Sequence, residues 1–80
     1  MLESDVNGII DDWGKAVAKN EKLAEEAEDI LDAQYHKGFA DGIRSMMFGI
    51  LHRHWGSRRD AEWFNLQIHD SVHRARKNIG

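Results

Sequence analysis

Cysteine, proline and threonine are all missing from this chain, and each absence excludes something. Without cysteine there is neither a disulfide staple nor a thiolate zinc site. Without proline or threonine, and with few β-branched residues against abundant Ala, Glu, Lys, Leu and Arg, the composition favours helix over sheet. Long apolar runs are missing too: the longest, Met46 to Leu51, is interrupted by Gly49 and is far too short to span a bilayer. The segment Met1-Leu2-Glu3-Ser4-Asp5 lacks the basic and apolar regions of a secretory leader. The expectation is a cytoplasmic chain with no membrane partner.

Reactive constellations are equally scarce. Ser4, Ser45, Ser57 and Ser71 are the only serines, and none sits in a nucleophile elbow or beside an evident base. No phosphate-binding loop or dinucleotide fingerprint is present, because Gly38 and Gly42 are followed by no suitably placed lysine. The chain is therefore expected to be non-enzymatic and to need no cofactor.

Eighty residues make one domain, here residues 1–80, that buries only about 60–65% of its unfolded surface. Since cross-links and thiolate metal sites are unavailable, self-association is the expected supplement to a thin core. The predicted architecture is all-α, a small bundle of about three helices with a long N-terminal helix, completed as a homo-oligomer.

What the sequence does contain is a division of charge. Residues 1–40 hold ten carboxylates and four lysines, net −6, whereas residues 41–80 hold four carboxylates, six arginines and one lysine, net +3. Every arginine lies in the second half. Because guanidinium presents a planar fork to phosphate and carboxylate, this division predicts either an anion site or paired charged surfaces.

Apolar spacing sets the helices. Val6, Ile10, Trp13, Val17, Ala24, Ala27 and Leu31 follow a four-three rhythm broken only at Asn20, which predicts one helix over 4–35, with a break and N-cap near Asn20 as the alternative. Gly38, Gly42, Ser45 and Gly49 share one side of a second helix over 38–55, where another helix axis could approach closely. The competing possibility is that Gly38 caps the first helix and Gly42 lies in a turn. Phe39, Ile43, Met46, Met47, Phe48, Ile50, Leu51 and Trp55 surround the stripe and predict burial on several sides. Phe64, Ile68, Val72, Ala75 and Ile79 give a third helix over 60–78 its apolar stripe, with Trp63 beside it and Asp60 or Ser57 as N-cap.

Three motifs carry candidate chemistry. His69-x-x-x-His73 sets two imidazoles one helical turn apart, and Asp32 with His36 repeats that spacing, but neither has an evident third metal ligand. Glu25-x-x-Glu28, within Lys22 to Leu31, resembles the first acidic motif of the all-α nucleotide pyrophosphohydrolases. That resemblance implies magnesium held by carboxylates from two helices, and the second motif's nearest counterpart, Glu62-x-x-Asn65, carries an amide in place of a carboxylate. The third is the basic-aromatic patch Arg53, His54, Trp55, Arg58 and Arg59, where guanidinium groups and the first N–H groups of the last helix could converge on a nucleotide or other phosphate ligand. Its counterpart is the acidic face of Glu21, Glu25, Glu28, Asp29 and Asp32, suited to a basic groove on a larger protein. The leading expectation is a small accessory or inhibitory protein of phage or prophage type that docks through its charged helix faces; the alternative is an oligomeric binder of a phosphate-bearing ligand.

Overall fold

The helix expected to run to residue 35 ends at Glu26. The computed structural model of the protein describes residues 3–79, with the Glu3 side chain left aside. Met1 and Leu2, used above for the chain start, lie outside the described residues, as does Gly80. Three helices follow in order, α1 (Glu3–Glu26), α2 (Ile30–Trp55) and α3 (Ala61–Ile79), and no strand occurs among the described residues. The break after α1 comes from Asp29, whose extended backbone (φ −100°, ψ 130°) and carboxylate, accepting the Leu31 N–H at 2.8 Å, make it the N-cap of α2.

Asn20 does not break α1. Its amide donates to the Ala16 carbonyl at 2.9 Å and its Oδ1 lies 3.0 Å from His36 Nδ1 on α2. The polar interruption in the apolar rhythm is thus an interhelical hydrogen bond, which a part-buried amide requires. Gly38 and Gly42 likewise lie inside α2, neither capping nor turning.

The helices form an up-down-up bundle measuring 43 × 22 × 19 Å, the long dimension set by the 26 residues of α2 at about 1.5 Å each. Each helix supplies four side chains to one core: Val6, Ile10, Val17 and Ala18; Ala40, Ile43, Met47 and Leu51; Phe64, Ile68, Val72 and Ala75. Trp13, Phe48, Ile50, Trp55 and Trp63 flank it. The Phe64 ring meets Phe48 edge-on at 5.4 Å and Trp63 at 5.7 Å, the arrangement aromatic quadrupoles favour.

Close approach inside the bundle occurs at Gly14, where α1 meets α3. A Cβ there would overlap the Ser71 hydroxyl and lie 3.1 Å from Ser71 Cβ. That buried hydroxyl donates to the Ile10 carbonyl at 3.0 Å, so the missing side chain at position 14 leaves room for a buried hydrogen bond.

The α2 glycines behave differently. Gly38, Gly42 and Gly49 have nothing within 4 Å of where a Cβ would stand, and no residue described has positive φ. Each costs α2 about 1 kcal/mol relative to alanine with no return inside this chain. Four large apolar side chains share that outward face: Leu31 (70% exposed), Tyr35 (65%), Phe39 (50%) and Met46 (53%). Burial on several sides, expected for Phe39 and Met46, does not occur within one chain, because the three-helix core is filled from the opposite face of α2. Leu31 leaves the expected seam for the same reason, and Ile79 on α3 is also exposed.

Candidate binding cleft at the end of the bundle

The connection Gly56–Asp60 places the basic-aromatic patch at the C-terminal end of α2, not at the start of α3. Arg53, His54 and Trp55 form the last turn of α2, and the Arg58 and Arg59 amides fold back onto the Trp55 carbonyl at 2.7 and 3.1 Å. Asp60 caps α3, accepting the Trp63 N–H at 2.9 Å. A carboxylate therefore occupies the helix N-terminus that was expected to receive the anion.

The side chains divide between two places. Arg58 lies 4.5 Å above the Trp55 ring and Arg59 5.2 Å from the centre of Trp63, with His54 edge-on to Trp55 at 4.8 Å. Arg53 stands apart on the exposed side of α2. Trp55 and Trp63 meet at 5.6 Å and, with Arg59, line a cleft of about 510 Å³, a volume suited to a small organic ligand. Asn7, Ile10 and Asp11 of α1, Leu51 of α2, and Gln67 and Arg74 of α3 complete its walls. The patch alone does not point to Asn7, Asp11, Gln67 or Arg74, since they join it only through the packing of α1 and α3. The available sign is that Asn7 and Asp11 stand one turn apart, a polar pair beside the apolar Val6–Ile10 seam.

Charge within this cleft is positive. Asp11 is paired with Arg74 at 3.2 Å, and Arg74 also meets Asp70 at 3.1 Å, whereas Arg59 forms no ion pair among the described residues. The indole Nε1–H of Trp55 is buried with no hydrogen-bond acceptor, a deficit that ordinarily costs about 1–3 kcal/mol. A groove of similar size, about 520 Å³, lies between Arg44, Phe48 and Ile68, but its arginine is already bound to Glu21 at 2.8 Å.

The acidic face is partly engaged within the chain. Glu21 pairs with Arg44, Glu25 pairs with Arg76 at 2.7 Å, and Asp29 caps α2. The Arg76 hydrogen bond, helped by its charge and that of Lys22, holds the Glu25 carboxyl below the usual carboxylate range. Glu28 and Asp32 are exposed and unpaired among the described residues. The structure separates the two carboxylates of the pyrophosphohydrolase-like motif, because α1 ends at Glu26 and Glu28 lies in the connection. The His69 and His73 rings stack 6.0 Å apart, and no group of three potential metal ligands occurs among the described residues. No helix described is long and apolar enough to cross a membrane.

No protein family, curated protein or solved structure matches this chain.

Proposed function

We propose that this chain is a non-enzymatic, self-associating helical binding protein that captures a small anion bearing a planar ring, of the mononucleotide class, in the cleft between Trp55 and Trp63. The observation that carries the reading is a cleft of about 510 Å³ lined by the Trp55 and Trp63 rings together with Arg59, which forms no ion pair among the described residues. Arg59 supplies charge, the Trp63 face supplies stacking, and the Asn7 and Gln67 amides offer both donors and acceptors to a ring edge. Docking on a larger basic protein draws less on this geometry, since Glu21, Glu25 and Asp29 are engaged and only Glu28 and Asp32 of that set are left to meet it.

Tryptophan fluorescence tests the reading directly, with AMP, adenosine and inorganic phosphate as probes. AMP should give a saturable change, adenosine or phosphate alone a much weaker one, and Arg59→Glu should weaken AMP binding by tenfold or more, as loss of a charged hydrogen bond of about 1.5–3 kcal/mol implies. A wild-type protein blind to AMP, or an Arg59→Glu variant that titrates like wild type, would end this reading.

A further inference from the structure

The outward face of α2 has the composition of an interface and no partner within the chain. Its positions 31, 35, 38, 39, 42, 45, 46 and 49 carry no charge from Leu31 to Gly49. Four of them are large apolar side chains at least half exposed and four are Gly or Ser. At roughly 200 Å² for a large side chain, the four expose on the order of 500 Å², most of the roughly 800 Å² per partner that a stable pair buries.

Charge frames the face. Glu28, Asp29 and Asp32 lie at its N-terminal end, while Arg53 and Arg58 lie at its C-terminal end without an ion-pair partner among the described residues. The outward face is therefore bounded by acid at one end of α2 and by base at the other.

We infer that the occupant of this face is a second copy of the same chain, docked through α2 in an antiparallel, two-fold arrangement centred on Gly42. The inference rests on the self-association part of the reading above and is independent of the cleft. With Gly42 on the axis, Gly42 meets Gly42 of the other copy, and the remaining positions pair so that their numbers sum to twice 42. Tyr35 then falls opposite Gly49, Gly38 opposite Met46, and Phe39 opposite Ser45. Every large side chain in the middle of the face meets a small one, as side chains seated in the gaps of a facing helix require. Asp32 comes level with His52, one residue from Arg53, which itself falls opposite Leu31, and Glu28 comes level with Gly56, two residues from Arg58, so each end of the pair sets acid near base. A parallel pair would do the reverse, stacking Tyr35 on Tyr35 and setting like charges together at both ends. A two-fold interface also needs a surface complementary to itself, and this face is.

The absence of native cysteine makes engineered thiols unambiguous reporters. Under mild oxidation Gly42→Cys should form a disulfide-linked dimer, whereas Gly38→Cys should not, since two copies of residue 38 lie roughly eight helical residues, about 12 Å, apart. Charge reversal supplies the second arm. Arg53→Glu/Arg58→Glu makes both ends acidic, and Glu28→Arg/Asp32→Arg makes both ends basic. Each double variant should sediment as a monomer and an equimolar mixture should restore the dimer, with circular dichroism establishing that both are folded. The wild-type dimer should weaken as salt is raised.

The outcomes separate the claims. A wild-type protein that is monomeric at every concentration overturns self-association and this interface together. A dimer that keeps its affinity in both charge variants, or that cross-links equally through positions 38 and 42, overturns the interface alone. A dimer strengthened by salt indicates the parallel arrangement and also overturns the inference.

Discussion

At the scale of single residues, glycine marks two opposite situations in this chain. Gly14 faces the Ser71 hydroxyl so closely that a methyl group has no room. Gly14→Ala should therefore destabilise the fold by about 1–3 kcal/mol, the usual cost of overpacking. Ser71→Ala should recover part of that loss by removing the clashing oxygen, so the double variant will be less destabilised than the two single effects added together. Chemical denaturation measures all three, and strict additivity would mean that positions 14 and 71 do not meet. Glu25 gives a pH prediction. Its carboxyl is held below the ordinary range by Arg76, so the pair stabilises the fold above the carboxylate range and the contribution disappears as pH falls through the depressed value. Glu25→Gln should lower stability near neutrality and flatten the acid limb of the stability profile, by little, since the pair is open to solvent. An acid limb unchanged in Glu25→Gln would remove the pair from the stability account. Asn20 was visible in the sequence only as an irregularity, because its hydrogen-bond partner, His36, lies on another helix.

At the scale of helices, the third was the most legible, since Phe64, Ile68, Val72 and Ala75 sit at the core spacing and are all buried. The start of the second was not. Asp29 lies in a run of carboxylates, where a capping side chain looks like one more solvated acid, and the apolar rhythm carries on through Ala27 and Leu31 as though the helix did. Periodicity records which residues are apolar, but a three-residue break can leave its phase intact. The glycine stripe was legible as one face, yet nothing in the chain alone distinguished a face used inside the bundle from one turned outward. That difference carries its own prediction. Gly42→Ala should stabilise the monomer by up to about 1 kcal/mol, because α2 gains helix propensity with nothing in the way, and should weaken self-association, because it adds a methyl group where two helices are proposed to meet. Thermal melts at low concentration and sedimentation at high concentration read the two signs separately. Agreement between the signs would argue against the close crossing at Gly42.

At the scale of the whole molecule, the division of charge was plain from the sequence, but its use was not. Arg44, Arg74 and Arg76 satisfy carboxylates on α1 or on their own helix, whereas Arg53, Arg58 and Arg59 take no part in an ion pair among the described residues. Net charge reveals that opposite signs exist; only packing decides which of them are spent. For the same reason, only part of the candidate cleft was legible, namely Trp55 and Arg59 of its nine lining residues, while Asn7, Asp11, Gln67 and Arg74 join them only after three helices have folded together.

The short Ala27–Asp29 connection has a consequence for how the chain reaches this state. The first two helices are sequence neighbours joined by three residues, so their hairpin closes through local contacts, the quickest kind to form. The hydrogen bond that fastens the third helix links Ser71 to Ile10, 61 positions apart, and has to wait for the end of the chain. During synthesis, which proceeds from the N-terminus, a two-helix intermediate will expose the seam of Val6, Ile10 and Val17 until Phe64 and Ile68 emerge to cover it. The same two-helix intermediate already carries the whole outward face of α2, so the interface proposed above is in place before the third helix packs.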